Sequence, residues 1–220
     1  MSTGNEVVDI RQAESLSDGS IRDTNRPSLK YALESRGFQV VDLGIASDSI
    51  DGIEKSLRQG IQQADVILTT GGVSMGELDL LKPIIERNLK GTIHFGRVAL
   101  KPGKPTTFAT VPCAESSDDP SEKLIFALPG NPVSALVTFQ LFVIPSLLSL
   151  SGVLYPNHRL LKVKVSFTFR LCCIINNLYS CHMTYNWMQD LNFIELHLLV
   201  NQVNRIGWLQ GQETSYLVVC

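Results

Sequence analysis

The chain has 220 residues, 44% of them apolar and 18% charged, which excludes a disordered or fibrous protein and leaves room for one or two domains with a real core. Its formal charge of -2 at pH 7 is spread over scattered basic residues, so no basic face argues for nucleic acid. No basic-then-apolar leader is read in MSTGNEVVDI, so a cytoplasmic protein is expected.

In chain order, Pro27 marks the start of a helix whose apolar positions include Leu29 and Leu33, with Gly37 as its stop. Phe38–Ile45 then reads as a strand. Asp48 and Asp51 precede a helix with Ile53, Leu57 and Ile61 at four-residue spacing, and ADVILT at Ala64–Thr69 is a buried-strand run. A further helix is predicted over about 79–88, followed by strands near Thr92–Leu100, Thr106–Val111 and Leu124–Leu128 and by a helix after Pro132. Helices alternating with parallel strands predict a three-layer α/β/α sandwich with a mostly parallel sheet.

Two glycine-bearing loops follow apolar strands in this scheme, TTGGVSMGELD at Thr69–Asp79 and ALPGNPVSA at Ala127–Ala135. Ligands of such sheets bind beyond the carboxyl ends of the strands, which places both loops on one rim. Gly71, Gly72 and Gly76 let backbone N–H groups approach an anion, and Ser74 can donate to it. Asp79 can cap the next helix or bind Mg²⁺ that bridges phosphates. The loop lacks both the Walker lysine and the GxGxxG spacing. In the second loop two prolines stiffen the backbone around Gly130, with Asn131 and Ser134 as donors at a helix start; a rigid turn would use the same residues. Between the loops, Lys101 and Lys104 on the proline-stiffened KPGKP could hold an oxyanion or form a solvated basic turn.

Residues 127–157 carry no Asp, Glu, Lys or Arg, a length that could span a bilayer. Pro145, Gln140, the serines and the position after a ligand loop favour a helix buried against a sheet, so no membrane span is expected. The composition changes near Ser151: residues 1–150 hold 14 Lys+Arg and 18 Asp+Glu, residues 151–220 only 5 and 3. Four of the five cysteines fall in this second part, a number and arrangement that argue against a disulfide framework. Cys172, Cys173, Cys181 and His182 lack zinc-site spacing.

Five ordered motifs, STGNE at Ser2–Glu6, IRDTNR at Ile21–Arg26, TTGGVSMGELD, LKPGKPTTFAT at Leu100–Thr110 and FALPGNPVSA at Phe126–Ala135, resemble the molybdopterin-binding domain of the gephyrin E-domain and bacterial molybdopterin molybdenumtransferase family. The resemblance covers about residues 1–152; residues 153–220 form an atypical tail in place of the family's small β-domain, although LLKVKVSF at Leu160–Phe167 alternates like a strand. It also implies that a strand preceding STGNE and the family's linker and lid domains are missing. The implied activity is Mg²⁺-dependent insertion of molybdate into adenylylated molybdopterin with release of AMP, in a homo-oligomeric protein. Carried over residue by residue, Asp79 and Asp48 are the metal carboxylates beside the pyrophosphate. Ser74, with Gly71, Gly72 and Gly76, is the nucleotide-pterin phosphate loop, and Lys101, Lys104 and Ser134 are anion or molybdate contacts near Gly130 and Asn131. The alternatives are a gephyrin-like scaffold or binding fragment without turnover, and nucleotide binding of the adenylyltransferase type.

Overall fold

The computed structural model describes residues 1–12, 16–73, 80–113, 122–154 and 217–219. Among these, the main sheet runs in the order β4 (Gln39–Val41), β10 (Leu217–Val219), β6 (Val66–Thr70), β9 (Glu122–Leu128), β8 (Thr107–Pro112) and β7 (Thr92–Phe95). Two short strands, β1 (Ser2–Thr3) and β5 (Ile45–Ala46), extend it beside the end of β6, and β2 (Val7–Val8) pairs with β3 (Ile21–Arg22) apart from it.

Layering follows from alternation along the strands. In β9, Leu124, Phe126 and Leu128 face one core while Ile125 and Ala127 face the other, and all five are buried, as a strand covered on both faces requires. The first core takes Leu29 and Leu33 of α1 (Asn25–Glu34) and the helical stretch Pro132–Leu150, with the Phe108 and Phe126 rings 4.8 Å apart. The second takes α2 (Ile50–Gln63) and Leu81, Ile84 and Ile85 of the helix opened by α3 (Leu81–Pro83). Helices thus cover both faces of a mostly parallel sheet, which is the expected α/β/α sandwich.

Three local expectations are corrected. The strand expected over Phe38–Ile45 breaks into β4 and β5, because Asp42 turns its carboxylate to Arg26 and to the Gly44 N–H (2.9 Å), and Gly44 takes a φ of +75°. The strand expected over Thr92–Leu100 stops at Phe95. Strands β7, β8 and β9 pair antiparallel, which needs no crossover helix between them.

Helix ends obey local chemistry. Ser49 caps α2 by accepting the Gly52 N–H at 3.1 Å, and the buried stripe is Ile53, Leu57 and Gly60; Ile61 drifts to its edge, as 3.6 residues per turn demands. Gly37 follows α1 with a φ of +84°. After α4 (Pro132–Thr138) a π-helical turn at Phe139–Val143 leads into α5 (Ile144–Leu150), where Pro145 can neither donate to the preceding turn nor sit against its carbonyls. The stretch Pro132–Leu150 is long and apolar enough to cross a membrane by length and composition, and 61% of it is buried within the chain.

Candidate functional site

The carboxyl ends of β1, β6 and β9 open onto one cavity of about 730 Å³. Its wall includes Thr3, Thr70, Gly71 and Gly72 together with Pro129, Gly130, Asn131 and Ser134. The glycine loops meet there. The Gly71 N–H donates to the Leu128 carbonyl at 3.1 Å, and a Cβ on Gly130 would lie only 3.5 Å from the Gly71 Cα, so the two backbones are in contact. Gly71 has a φ of +85°, and a Cβ on it would sit 2.7 Å from the Thr3 carbonyl oxygen. Only glycine fits this approach.

Asn131 orders the second loop: its Oδ1 accepts the N–H groups of Val133 at 3.0 Å and Ser134 at 3.3 Å, with Pro132 in the first helical turn. Asn25 ties the loop to α1, its Nδ2 donating to the Gly130 carbonyl at 2.7 Å. Asp48, also a lining residue, and Asn5 exchange reciprocal bonds: the Asn5 N–H donates to Asp48 Oδ2 and the Asp48 N–H to Asn5 Oδ1, each at 3.1 Å. Glu6 and Asp23 add carboxylates to the wall.

Of the residues singled out in the sequence, the structure brings Gly71, Gly72, Asp48, Gly130, Asn131 and Ser134 to this one cavity. Lys101 and Lys104 are exposed on the adjoining loop and are not among its lining residues, although the next residue, Pro105, is. Ser74, Gly76 and Asp79 lie outside the described residues, as do Leu160–Phe167, Cys172, Cys173, Cys181 and His182. Sequence reasoning did not single out Thr3, Asp23 and Asn25 as site residues. The signal for them was the pair of motifs STGNE and DTN, each at the end of a short strand.

Behind the wall stands an ionic hub. The Arg26 guanidinium, 8% exposed, bonds both oxygens of Asp42 (2.7 and 2.6 Å), Asp23 Oδ2 (3.0 Å) and Asp9. Burial opposes its charge, but the three carboxylates outweigh burial and raise its pKa further. The Arg11 N–H and then Arg26 hold Asp9 below the ordinary carboxylate value. At Asp42 burial acts the other way, yet the bonds from Arg26 and Gly44 prevail and the pKa is again lowered. Because both folded carboxyls titrate below their ordinary value of 3.8, the stability they contribute is complete above that pH and is lost as pH falls below it. Thermal melts should therefore show a declining Tm between about pH 4 and 3, and replacing Asp42 by Asn should flatten that decline.

Beside the guanidinium-bearing Arg22, the lining residues include the carboxylates of Asp48, Glu6 and Asp23 and the hydroxyls of Ser2, Thr3 and Thr70. Such a set suits a hard cation that keeps waters and substrate phosphates as its other ligands. Among the described residues no three His, Cys, Asp or Glu side chains cluster to enclose a metal alone.

Residues 1–149 match the family described as "Probable molybdopterin binding domain". The chain is 41% identical over 169 residues to gephyrin of Dictyostelium discoideum, and 40% identical over 152 residues to the molybdopterin molybdenumtransferase of Haemophilus influenzae. Each alignment covers 69% of this chain, but only 23% and 34% of those proteins, so the chain spans about a quarter to a third of their length. The crystal structure of a molybdopterin biosynthesis MoeA protein from Pyrococcus horikosii superposes with a TM-score of 0.58 and 32% identity, over 69% of this chain and 34% of that one.

Proposed function

We propose, from the premise that this chain belongs to the molybdopterin-binding domain family, that its cavity takes the adenylylated form of molybdopterin and serves molybdenum cofactor biosynthesis. The reaction proposed is insertion of molybdate with release of AMP. The observation that carries this reading is the contact of two glycine loops at one wall of a cavity that also holds Asp48.

The Gly71 N–H, taken up by the Leu128 carbonyl, locks the two loops together beside the cavity, and dipoles fixed in this way need no reorganisation when charge develops. Thr3 and Thr70 offer hydroxyls on the same wall, and Asn131 holds the start of the following helix in place. Mg²⁺ would be held by Asp48 together with Asp79; when bound it neutralises charge on the pyrophosphate being cleaved. The Asn5 N–H bonds Asp48 Oδ2 and so pre-positions this carboxylate. The oxyanion role of Lys101 and Lys104 rests on the family resemblance, and their loop adjoins the wall through Pro105.

Calorimetry with ADP and Mg²⁺ tests the nucleotide end of the site. Mg²⁺-dependent heat is expected, reduced at least about tenfold in affinity by Asp48→Asn, the equivalent of about 1.4 kcal/mol. No heat from well-folded protein would sink the proposal. Binding without any AMP release from the adenylylated pterin would select the alternative of a binding fragment without turnover. A cytoplasmic, homo-oligomeric protein follows from the same reading, and sedimentation checks the second.

A further inference from the structure

Among the described residues that line the cavity, one side chain is cationic, that of Arg22; the other ionisable ones are the carboxylates of Glu6, Asp23 and Asp48. Asp23 has its counter-charge in Arg26, at 3.0 Å. Glu6 and Asp48 meet a ligand that, on the reading above, brings phosphates, and like charges repel. Lys101 and Lys104 are not lining residues, so the fixed positive charge of the described wall is that of Arg22.

Arg22 is also firmly mounted. It lies on β3 opposite Val8 of β2. The backbone is pinned on either side of it: the Ile21 N–H donates to the Glu6 carbonyl at 2.8 Å and the Asp23 N–H to the Val8 carbonyl at 2.9 Å. At the far end of the side chain, Nη1 donates to the Gln12 carbonyl at 3.1 Å. A side chain held at both ends loses less rotamer freedom when a ligand arrives. The same ribbon is joined to the other parts of the site. Asn5, next to Glu6, bonds Asp48, and Asn25, three residues after Arg22, bonds the Gly130 carbonyl at 2.7 Å.

We propose that Arg22 is a phosphate-contacting residue of this cavity, its guanidinium pairing with phosphate oxygens at the nucleotide end of the ligand; the proposal rests on the reading that an adenylylated pterin binds here. A guanidinium suits the task, since it stays charged at any working pH and matches two phosphate oxygens at once, which an ammonium does not. It makes the cavity select by charge, favouring nucleotides over the nucleosides that share their base and ribose.

Calorimetry on the full chain with Mg²⁺ and either ADP or inorganic pyrophosphate tests the proposal. Arg22→Gln should weaken both by about tenfold or more, while the Ile21 and Asp23 amides keep their hydrogen-exchange protection. Arg22→Lys should recover part of the loss, and added salt should weaken ADP more in the wild type than in Arg22→Gln. Equal ADP affinity in Arg22→Gln and the wild type overturns the proposal and leaves the reading of the cavity standing; no ADP binding by the folded wild type overturns both. If the Ile21 and Asp23 amides lose protection along with ADP affinity, Arg22 supports the ribbon and the proposal is again overturned. The wild type also answers without any variant. Mg²⁺ with ADP should shield Arg22 from phenylglyoxal, read by peptide mass spectrometry, and adenosine should not. Modification of Arg22 at the same rate with ADP bound overturns the proposal.

Discussion

Replacing Arg26 by methionine should lower the unfolding free energy by about 3–5 kcal/mol, the cost of leaving buried carboxylates without their partner. The large value follows from Asp23, whose side chain is 2% exposed and lines the cavity wall. Without the guanidinium its carboxylate loses its charged partner and must draw water into the wall. Asp42 and Asp9, about a quarter exposed, can turn to solvent and contribute less. Arg26→Lys should recover only part of the loss, since an ammonium cannot span both oxygens of Asp42 while holding Asp23 and Asp9. Denaturant titration measures the effect, and a loss under about 1 kcal/mol would show that the hub is not what holds this wall. ADP binding should weaken with it, because β2, β3, the end of β4 and the start of α1 all reach the hub through these four residues.

Gly71→Val should abolish ADP binding while the sheet stays folded. Two costs combine: a non-glycine residue at a φ of +85°, about 1–3 kcal/mol of backbone strain, and a Cβ placed 2.7 Å from a carbonyl oxygen. The obstructing atom belongs to the backbone of Thr3, which the β1 ladder to β5 and β6 holds in place, so a side-chain rotation cannot relieve the overlap. The loop must move instead, and with it the contact between Gly71 and Gly130. Gly37→Ala supplies the control. Gly37 has nearly the same φ, +84°, with nothing within 4 Å of an added Cβ, so it should lose stability by strain alone and keep its affinity. Equal binding by Gly71→Val and the wild type would remove the glycine-loop contact from the site.

The layers were legible because apolar periodicity is a local property of the chain. Leu29 and Leu33, Ile53 and Leu57, and the apolar runs Val66–Leu68 of β6 and Leu124–Leu128 of β9 all went where their spacing sent them. Element ends were less legible. The break after Val41 depends on Arg26, distant in sequence, drawing Asp42 out of the strand, and no window around Asp42 contains that charge. The antiparallel β7–β8–β9 pairing was similarly hidden, since alternation shows that a residue run can be a strand but not which way its neighbour runs.

For the site, the sequence by itself determined which loops matter: glycines after buried strands, a proline-stiffened turn and the five ordered motifs of the family. Only the tertiary structure decided that the two loops touch, that Asp48, bonded to Asn5, lines the same cavity, and that the lysine pair stands beside the wall and not in it. Only there, too, do Leu217–Val219 and Met1–Thr3 line one edge of β6. The reason is the range of the forces involved. Propensity and periodicity act over a few residues and are written into each segment, whereas hydrogen-bond pairing and charge contacts join residues as far apart as Asn25 and Gly130, whose meeting exists only once the sheet has formed.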